Sequence, residues 1–167
     1  MTNSVYLSLG SNLGDREANL QRAVEALQEE LTVSALSSLY ETEPVGVLQQ
    51  PSFLNLALAA TTDLPPLDLL ALVKRVEREV GRRPTFRWGP RVVDVDIILF
   101  GDHIVHTPEL IIPHREMANR AFVLVPLAEI APDVQHPLLH GSVADLLARV
   151  SGRHSVRPYS QPGASPP

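Results

Sequence analysis

The sequence predicts an α+β fold of the ferredoxin-like kind: a β-α-β-β-α-β sandwich with an antiparallel sheet and helices on one face, to which C-terminal helices are added. Three observations predict it. Two segments of the first hundred residues carry apolar side chains at helical spacing, alternating or continuously apolar runs flank them, and clusters of Gly, Pro, Asn and Asp separate the pieces. A chain of 167 residues with 44% hydrophobic content is long enough to bury one core unaided.

The elements follow in order. Val5 to Leu9 is a short apolar strand running into GSNLGD, a glycine turn that ends at Asp15, a helix N-cap. Leu20, Ala23, Val24, Leu27 and Leu31 then make Arg16 to Leu31 an amphipathic helix, and a second strand covers Val33 to Glu41. TEPVGVLQQPS is turn-rich. Phe53 to Thr61 resumes as a strand with Leu54, Leu56, Leu58 and Ala60 on one face and Phe53 and Asn55 on the other. Pro66 opens a second helix with a stripe of Leu69, Val73, Val76 and Val80, closed by Gly81. An arginine-rich loop leads to a strand from Val92 to Phe100, on which Asp94, Asp96, Ile98 and Phe100 share one face. HIVH is a short strand, and Asn119 to Ile130 and Val143 to Val150 are added helices. Residues 1–150 form a single domain. The polar, proline-rich tail, 151–167, is expected to be disordered because it offers too little apolar surface to order itself.

Composition narrows the function. The chain has no cysteine, which excludes disulfides, thiolate metal sites and Cys nucleophiles and fits a reducing compartment. Its start lacks the basic and long apolar regions of a signal peptide, and no run reaches the roughly 18 to 20 apolar residues of a membrane span. A soluble, cytoplasmic protein is expected, with no membrane partner and no nucleic-acid partner, since the net charge is −5. Seven of the 14 basic residues nevertheless fall between Lys74 and Arg91. That concentration reads either as a local anion site or, for the stretch up to Arg83, as a solvated helix end.

The chemistry concentrates in RWGPRVVDVDIILFG. Asp94 and Asp96, two positions apart on a strand, point the same way about 6.5 to 7 Å apart at their Cα atoms. Their face begins charged and ends apolar, as where a core opens into a cleft. Two such carboxylates suit a pair of Mg²⁺ ions, which take hard oxygen ligands and complete their shells with water and substrate phosphate. The alternative is a structural cluster in which both aspartates pair with Arg87 and Arg91. GSNLGD lacks the lysine of a P-loop and the GxGxxG of a dinucleotide site, and a capped tight turn explains it without function. The six histidines show no metal-ligand spacing, and only His114 sits in suggestive company, in IIPHREMANRAF.

RWGPRVVDVDII resembles the signature of the 6-hydroxymethyl-7,8-dihydropterin pyrophosphokinase family, enzymes of folate synthesis that move pyrophosphate from ATP to a pterin alcohol. LSLGSNLGD, YETEPVG, QPSFLN and PHREMANRAFVLVPLAEIAP resemble further family segments in the same order, so that the likeness spans roughly Val5 to Asp133. The resemblance implies that Asp94 and Asp96 hold two Mg²⁺ ions and that Arg82 and Arg91 act with them as catalytic residues. It implies an ATP site made by Glu77, Arg82, Arg83, Trp88, Arg91, Ile97, Ile98, His114, Arg115 and Arg120. It also implies a pterin held between Phe53 and Phe122, with Asn55, Thr42, Glu43 and Val45 reading its edge. The enzyme it implies is an ATP-dependent diphosphokinase, with ATP and the pterin as its small-molecule partners, working as a monomer.

The chemistry of a flat heteroaromatic plate with amide-like edges agrees with two aromatic faces and one Asn, although Phe53 and Phe122 would serve equally as core residues. Arg115 stands where the family often has Tyr, Phe53 replaces a frequent Tyr, and the arginine loop is one residue shorter, with Pro84 inside it. A nucleic-acid or small-ligand binding module and a metal-dependent phosphate hydrolase are the alternative classes.

Overall fold

The computed structural model describes residues 2–43, 51–81 and 92–160. Its centre is β1 (Asn3–Ser11), whose Leu7, Leu9 and Val5 are fully buried. The turn that follows has Gly14 at φ 66°, in the left-handed region that favours glycine. The side chain of Asp15 accepts from Ala18 N at 3.1 Å and starts α1 (Arg16–Gln28). The chain then forms β2 (Thr32–Leu36), β3 (Tyr40–Thr42), β4 (Phe53–Thr62), α2 (Pro66–Val80) and β5 (Asp94–Phe100). β1 lies antiparallel between β4 and β5, and both β2 and β3 pair antiparallel with β4, at different ends of it. The single second strand expected from Val33 to Glu41 is therefore two strands. The break falls at Ser37, whose N donates to Ala57 O and whose Oγ accepts from Ala57 N.

The remaining elements are a hairpin of β6 (Val105–His106) and β7 (Ile111–Ile112), a 3₁₀ turn at Met117–Asn119, α3 (Ala121–Ile130), α4 (Val143–Arg149) and β8 (Val156–Pro158). The added helices change the layering. α1 and α2 pack on one sheet face through Leu20, Leu27, Leu69 and Val76 against Leu7, Leu9, Leu54 and Leu58. α3 and α4 cover part of the other face through Val123, Leu124, Leu127, Val143 and Leu146 against Ala57, Ile98 and Leu99. The molecule has helices on both faces of its sheet, which corrects the expectation of one covered face.

One further expectation is corrected. β5 pairs Tyr6 with Leu99 but Leu7 with Ile97, so Ile98 is an extra residue, a β-bulge. The bulge shifts the parity beyond it: Phe100 joins the core with Val95 and Ile97, and Leu99 joins the opposite core with Ile98. Phe100 and the aspartates thus do not share a face. In the tail, Arg153–Ser155 form a second 3₁₀ turn and Val156–Pro158 the strand β8. β8 pairs antiparallel with β3, Val156 is buried, and the backbone groups of an edge strand supply the bonds that composition did not promise. No helix among the described residues is long and apolar enough to cross a membrane.

Candidate active site

A cavity of about 300 Å³ opens over the half of the sheet that α3 leaves bare. Cross-strand register builds its floor. Asp94 of β5 lies opposite Gly10 of β1, which lies opposite Asn55 of β4, and one step along Asp96 lies opposite Ser8. All five line the cavity. Asn55 is buried and its Nδ2 donates to Thr42 Oγ1 at 3.1 Å, which fixes the amide against β3. A Cβ at position 10 would sit 2.8 Å from Asn55 Oδ1, so glycine is what lets the amide lie over β1. Phe53 and Glu43 form one rim. Arg120, at the N-terminal cap of α3, and Phe122, in its first turn, form the other, with the guanidinium 5.6 Å from the ring centre. An amide at the base of two aromatic walls is a slot for a flat polar-edged ring.

A second cavity of about 270 Å³ lies between β5, α2 and the β6–β7 hairpin, lined in part by Val73, Lys74, Ile97, His114 and Arg115. Asp96 lines it too. Burial holds the His114 imidazole below its ordinary range, against the pull of the nearby Asp96 carboxylate, with Arg120 adding to the downward push. His114 Nδ1 accepts from Glu116 N at 3.1 Å, and His114 N donates to Ile98 O at 2.9 Å. The bulged residue therefore fixes His114 through its carbonyl, while its side chain is buried among Met117, Val123 and Leu124. The Ile98 side chain packs in the core under α3. Glu77 accepts from Val95 N at 3.0 Å and pairs with Lys74 at 3.2 Å, tying α2 to the start of β5.

The model of the 7,8-dihydro-6-hydroxymethylpterin-pyrophosphokinase family matches residues 6–132. The chain belongs to that family. It is 48% identical over 137 residues to the 2-amino-4-hydroxy-6-hydroxymethyldihydropteridine pyrophosphokinase of Bacillus subtilis (strain 168), covering 81% of this chain and 82% of that one. The pyrophosphokinase of the same name from Aquifex aeolicus (strain VF5) is 45% identical over 135 residues, covering 81% and 84%. Among solved structures, the wild-type Plasmodium falciparum HPPK-DHPS with pteroate has the same fold, with a TM-score of 0.72 at 18% identity. The likeness covers 89% of this chain and 42% of that one.

Eleven of the eighteen residues expected in the site line these two cavities, which share Asp96. Thr42, Glu43, Phe53, Asn55, Asp94, Asp96, Arg120 and Phe122 line the first cavity, and Asp96, Ile97, His114 and Arg115 the second. Val45, Arg82, Arg83, Trp88 and Arg91 lie outside the described residues, as does Arg87. Ser8 and Gly10 were not anticipated. Their signal was present: small residues two apart, on the strand face opposite Leu7 and Leu9. Among the described residues no three metal-ligating side chains cluster. Two half-exposed carboxylates on one strand face of an open cavity nonetheless fit a hard cation that draws the rest of its shell from phosphate and water.

Proposed function

We propose that the chain transfers a pyrophosphoryl group from ATP to the hydroxymethyl oxygen of 6-hydroxymethyl-7,8-dihydropterin, in folate synthesis, with the pterin in the first cavity and the nucleotide reaching it from the second. The observation that carries this reading is that Asp96 is a wall of both cavities. One cavity offers aromatic rims and the fixed amide of Asn55; the other offers Lys74, Arg115 and the imidazole of His114. Asp94 and Asp96 would hold Mg²⁺, two ions in our reading, which when bound neutralises phosphate charge and polarises its oxygens.

The chain's own part is positioning. Asn55 and Thr42 read the pterin edge, Phe53 and Phe122 flank its plane, and Arg120, packed over Phe122 in the same cavity lining, faces phosphate. The pterin hydroxyl oxygen forms a bond to the β-phosphorus of ATP as the bond from that phosphorus to the α,β-bridging oxygen breaks. AMP leaves with that electron pair, and the hydroxyl proton passes to solvent. Such a reaction needs alignment and charge neutralisation more than a strong base. Arg82 and Arg91 would share in the neutralisation, with Arg83, Trp88, Glu77, Ile97 and the Ile98 carbonyl around the nucleotide and Val45 beside the pterin. In the same reading the strand order around β1 is ferredoxin-like, residues 1–150 form the catalytic domain, and the protein acts as a cytoplasmic monomer.

Phosphorus NMR of enzyme, ATP, Mg²⁺ and the pterin alcohol tests the reaction. AMP and a pterin diphosphate are expected. ADP with a phosphopterin, or ATP hydrolysis alone, would refute it.

A further inference from the structure

We propose that Arg16, in the first turn of α1, is a positioning residue for the first cavity, and that Tyr159 of the C-terminal segment holds it in place. The proposal rests on the reading of that cavity as the pterin site. The last rung of the β3–β4 ladder pairs Thr42 with Phe53, both of which line the cavity. Among the described residues no ladder pair joins the two strands beyond that rung. Arg16 stands at this end: its Nη1 donates at 2.8 Å to Glu41 Oε2, beside Thr42, and at 2.8 Å to Ser52 O, beside Phe53. One cation thus ties β3 to the residue that leads into β4, with one bond to a carboxylate and one to the main chain. The spacing of Thr42 and Phe53, and through Thr42 the orientation of the Asn55 amide, depends on that tie.

The guanidinium is itself fixed. Its carbon lies 5.6 Å from the centre of the Tyr159 ring. Tyr159 is half-buried against the core, and its N donates to Leu39 O at 2.9 Å, extending the β3–β8 pairing. The segment beyond residue 132, where the family match ends, thereby reaches the substrate cavity through Arg16. A surface ion pair usually adds little to stability, and Arg157 with Glu43, both well exposed at 2.9 Å, is of that kind. Arg16 differs because its side chain and that of Glu41 are only 22% and 33% exposed and because it also holds a carbonyl. Its contribution is geometric, so it belongs in substrate binding more than in folding stability.

Steady-state kinetics of Arg16→Met, Arg16→Lys, Tyr159→Ala and Asn55→Ala, each with a thermal melt, test this. Arg16→Met should raise KM for the pterin ~3- to 10-fold, with kcat and KM for ATP changed by less than about twofold. Arg16→Lys should restore most of the loss, and Tyr159→Ala, which keeps the ion pair, should raise the pterin KM by a smaller factor. If Asn55→Ala raises the pterin KM and Arg16→Met does not, the brace is wrong while the cavity assignment stands. If Asn55→Ala has no effect, the cavity assignment fails and the brace falls with it. Equal losses for both substrates, or a lowered melting temperature with unchanged KM, would make Arg16 an ordinary structural residue and overturn the proposal. Should Arg16→Met not fold, Tyr159→Ala and Arg16→Lys decide by the same split.

Discussion

The two faces of the sheet carry the same strands to different ends. Under α1 and α2 every strand position from Val5, Leu7 and Leu9 across to Leu54, Leu56 and Leu58 is apolar and buried, and the helices seal the face. Under α3 and α4 only the half around Ala57, Ile98 and Leu99 is sealed, and the rest presents Ser8, Gly10, Asn55, Asp94 and Asp96 to a cavity. A strand's two-residue period makes this division possible, since neighbouring residues serve the two faces independently. Apolar burial on the sealed face is worth about 25 cal/mol per Å² and supplies the stability that lets the other face remain polar, open and partly unfilled.

Five substitutions would break or sharpen that contrast. Asp96→Ala should have the largest effect, lowering turnover in Mg²⁺ by about 10³-fold or more. In a metal-free denaturation it should leave stability unchanged or raised, because it relieves repulsion from Asp94. A loss of about 3 to 5 kcal/mol with substantial residual activity would instead mark a structural salt-bridge cluster. Leu58→Ala, opposite Leu7 on the sealed face, should do the reverse: about 2 to 5 kcal/mol lost in urea, with KM values of the folded protein unchanged. A comparable change in pterin KM would show that the faces are not independent.

Asn55→Ala should weaken pterin binding by about 1 to 3 kcal/mol, roughly five- to 150-fold, with nucleotide affinity preserved in calorimetry. Gly10→Ala should move the same way by displacing the amide it underlies. The smallest effect belongs to Tyr40→Phe. Tyr40 donates to Glu129 Oε1 at 2.6 Å, and burial together with that bond pushes its own pKa up to about 12. Burial alone would raise Glu129, but the bonds from Tyr40 and from Ser38 N and Oγ outweigh it and hold the carboxyl below its ordinary 4.5. A depressed carboxyl stabilises the fold above its unfolded pKa, and the benefit is lost as pH falls through the folded value. Tyr40→Phe should therefore cost about 0.5 to 1 kcal/mol near neutrality and flatten the fall in stability below about pH 4.5, read from urea midpoints across pH.

Alternation made much of the site legible. Phe53 with Asn55, and Asp94 with Asp96, were assigned to common faces from sequence, and these four residues line one cavity. Asp15 as a cap and Pro66 at the start of α2 were legible for the same reason, being local chemistry. What sequence did not reveal depended on partners distant in the chain. The bulge at Ile98 is a property of the β1–β5 pairing, and no residue in DVDIILF announces it. β8 is three residues long and mostly exposed, so its order comes from the vacant edge of β3 and not from its own composition. The cover that α3 gives to the second face followed from which half of β4 it meets, and helical periodicity specifies a buried stripe without naming its target.

The bulge has a further effect, on how the chain finds its native register. β5 must dock beside β1 in one alignment out of several that would keep its apolar residues in contact. A slip by one position would turn Asp94 and Asp96 toward α1 and α2, where two carboxylates would be stripped of water with no cation to meet them. Because Ile98 is looped out, the residues before and after it cannot both be in step with β1 in any simply shifted pairing. Only one alignment sends Val95, Ile97 and Phe100 to one side and the aspartates to the other. A slipped pairing would thus be disfavoured by the same carboxylates that, in the observed register, line the first cavity.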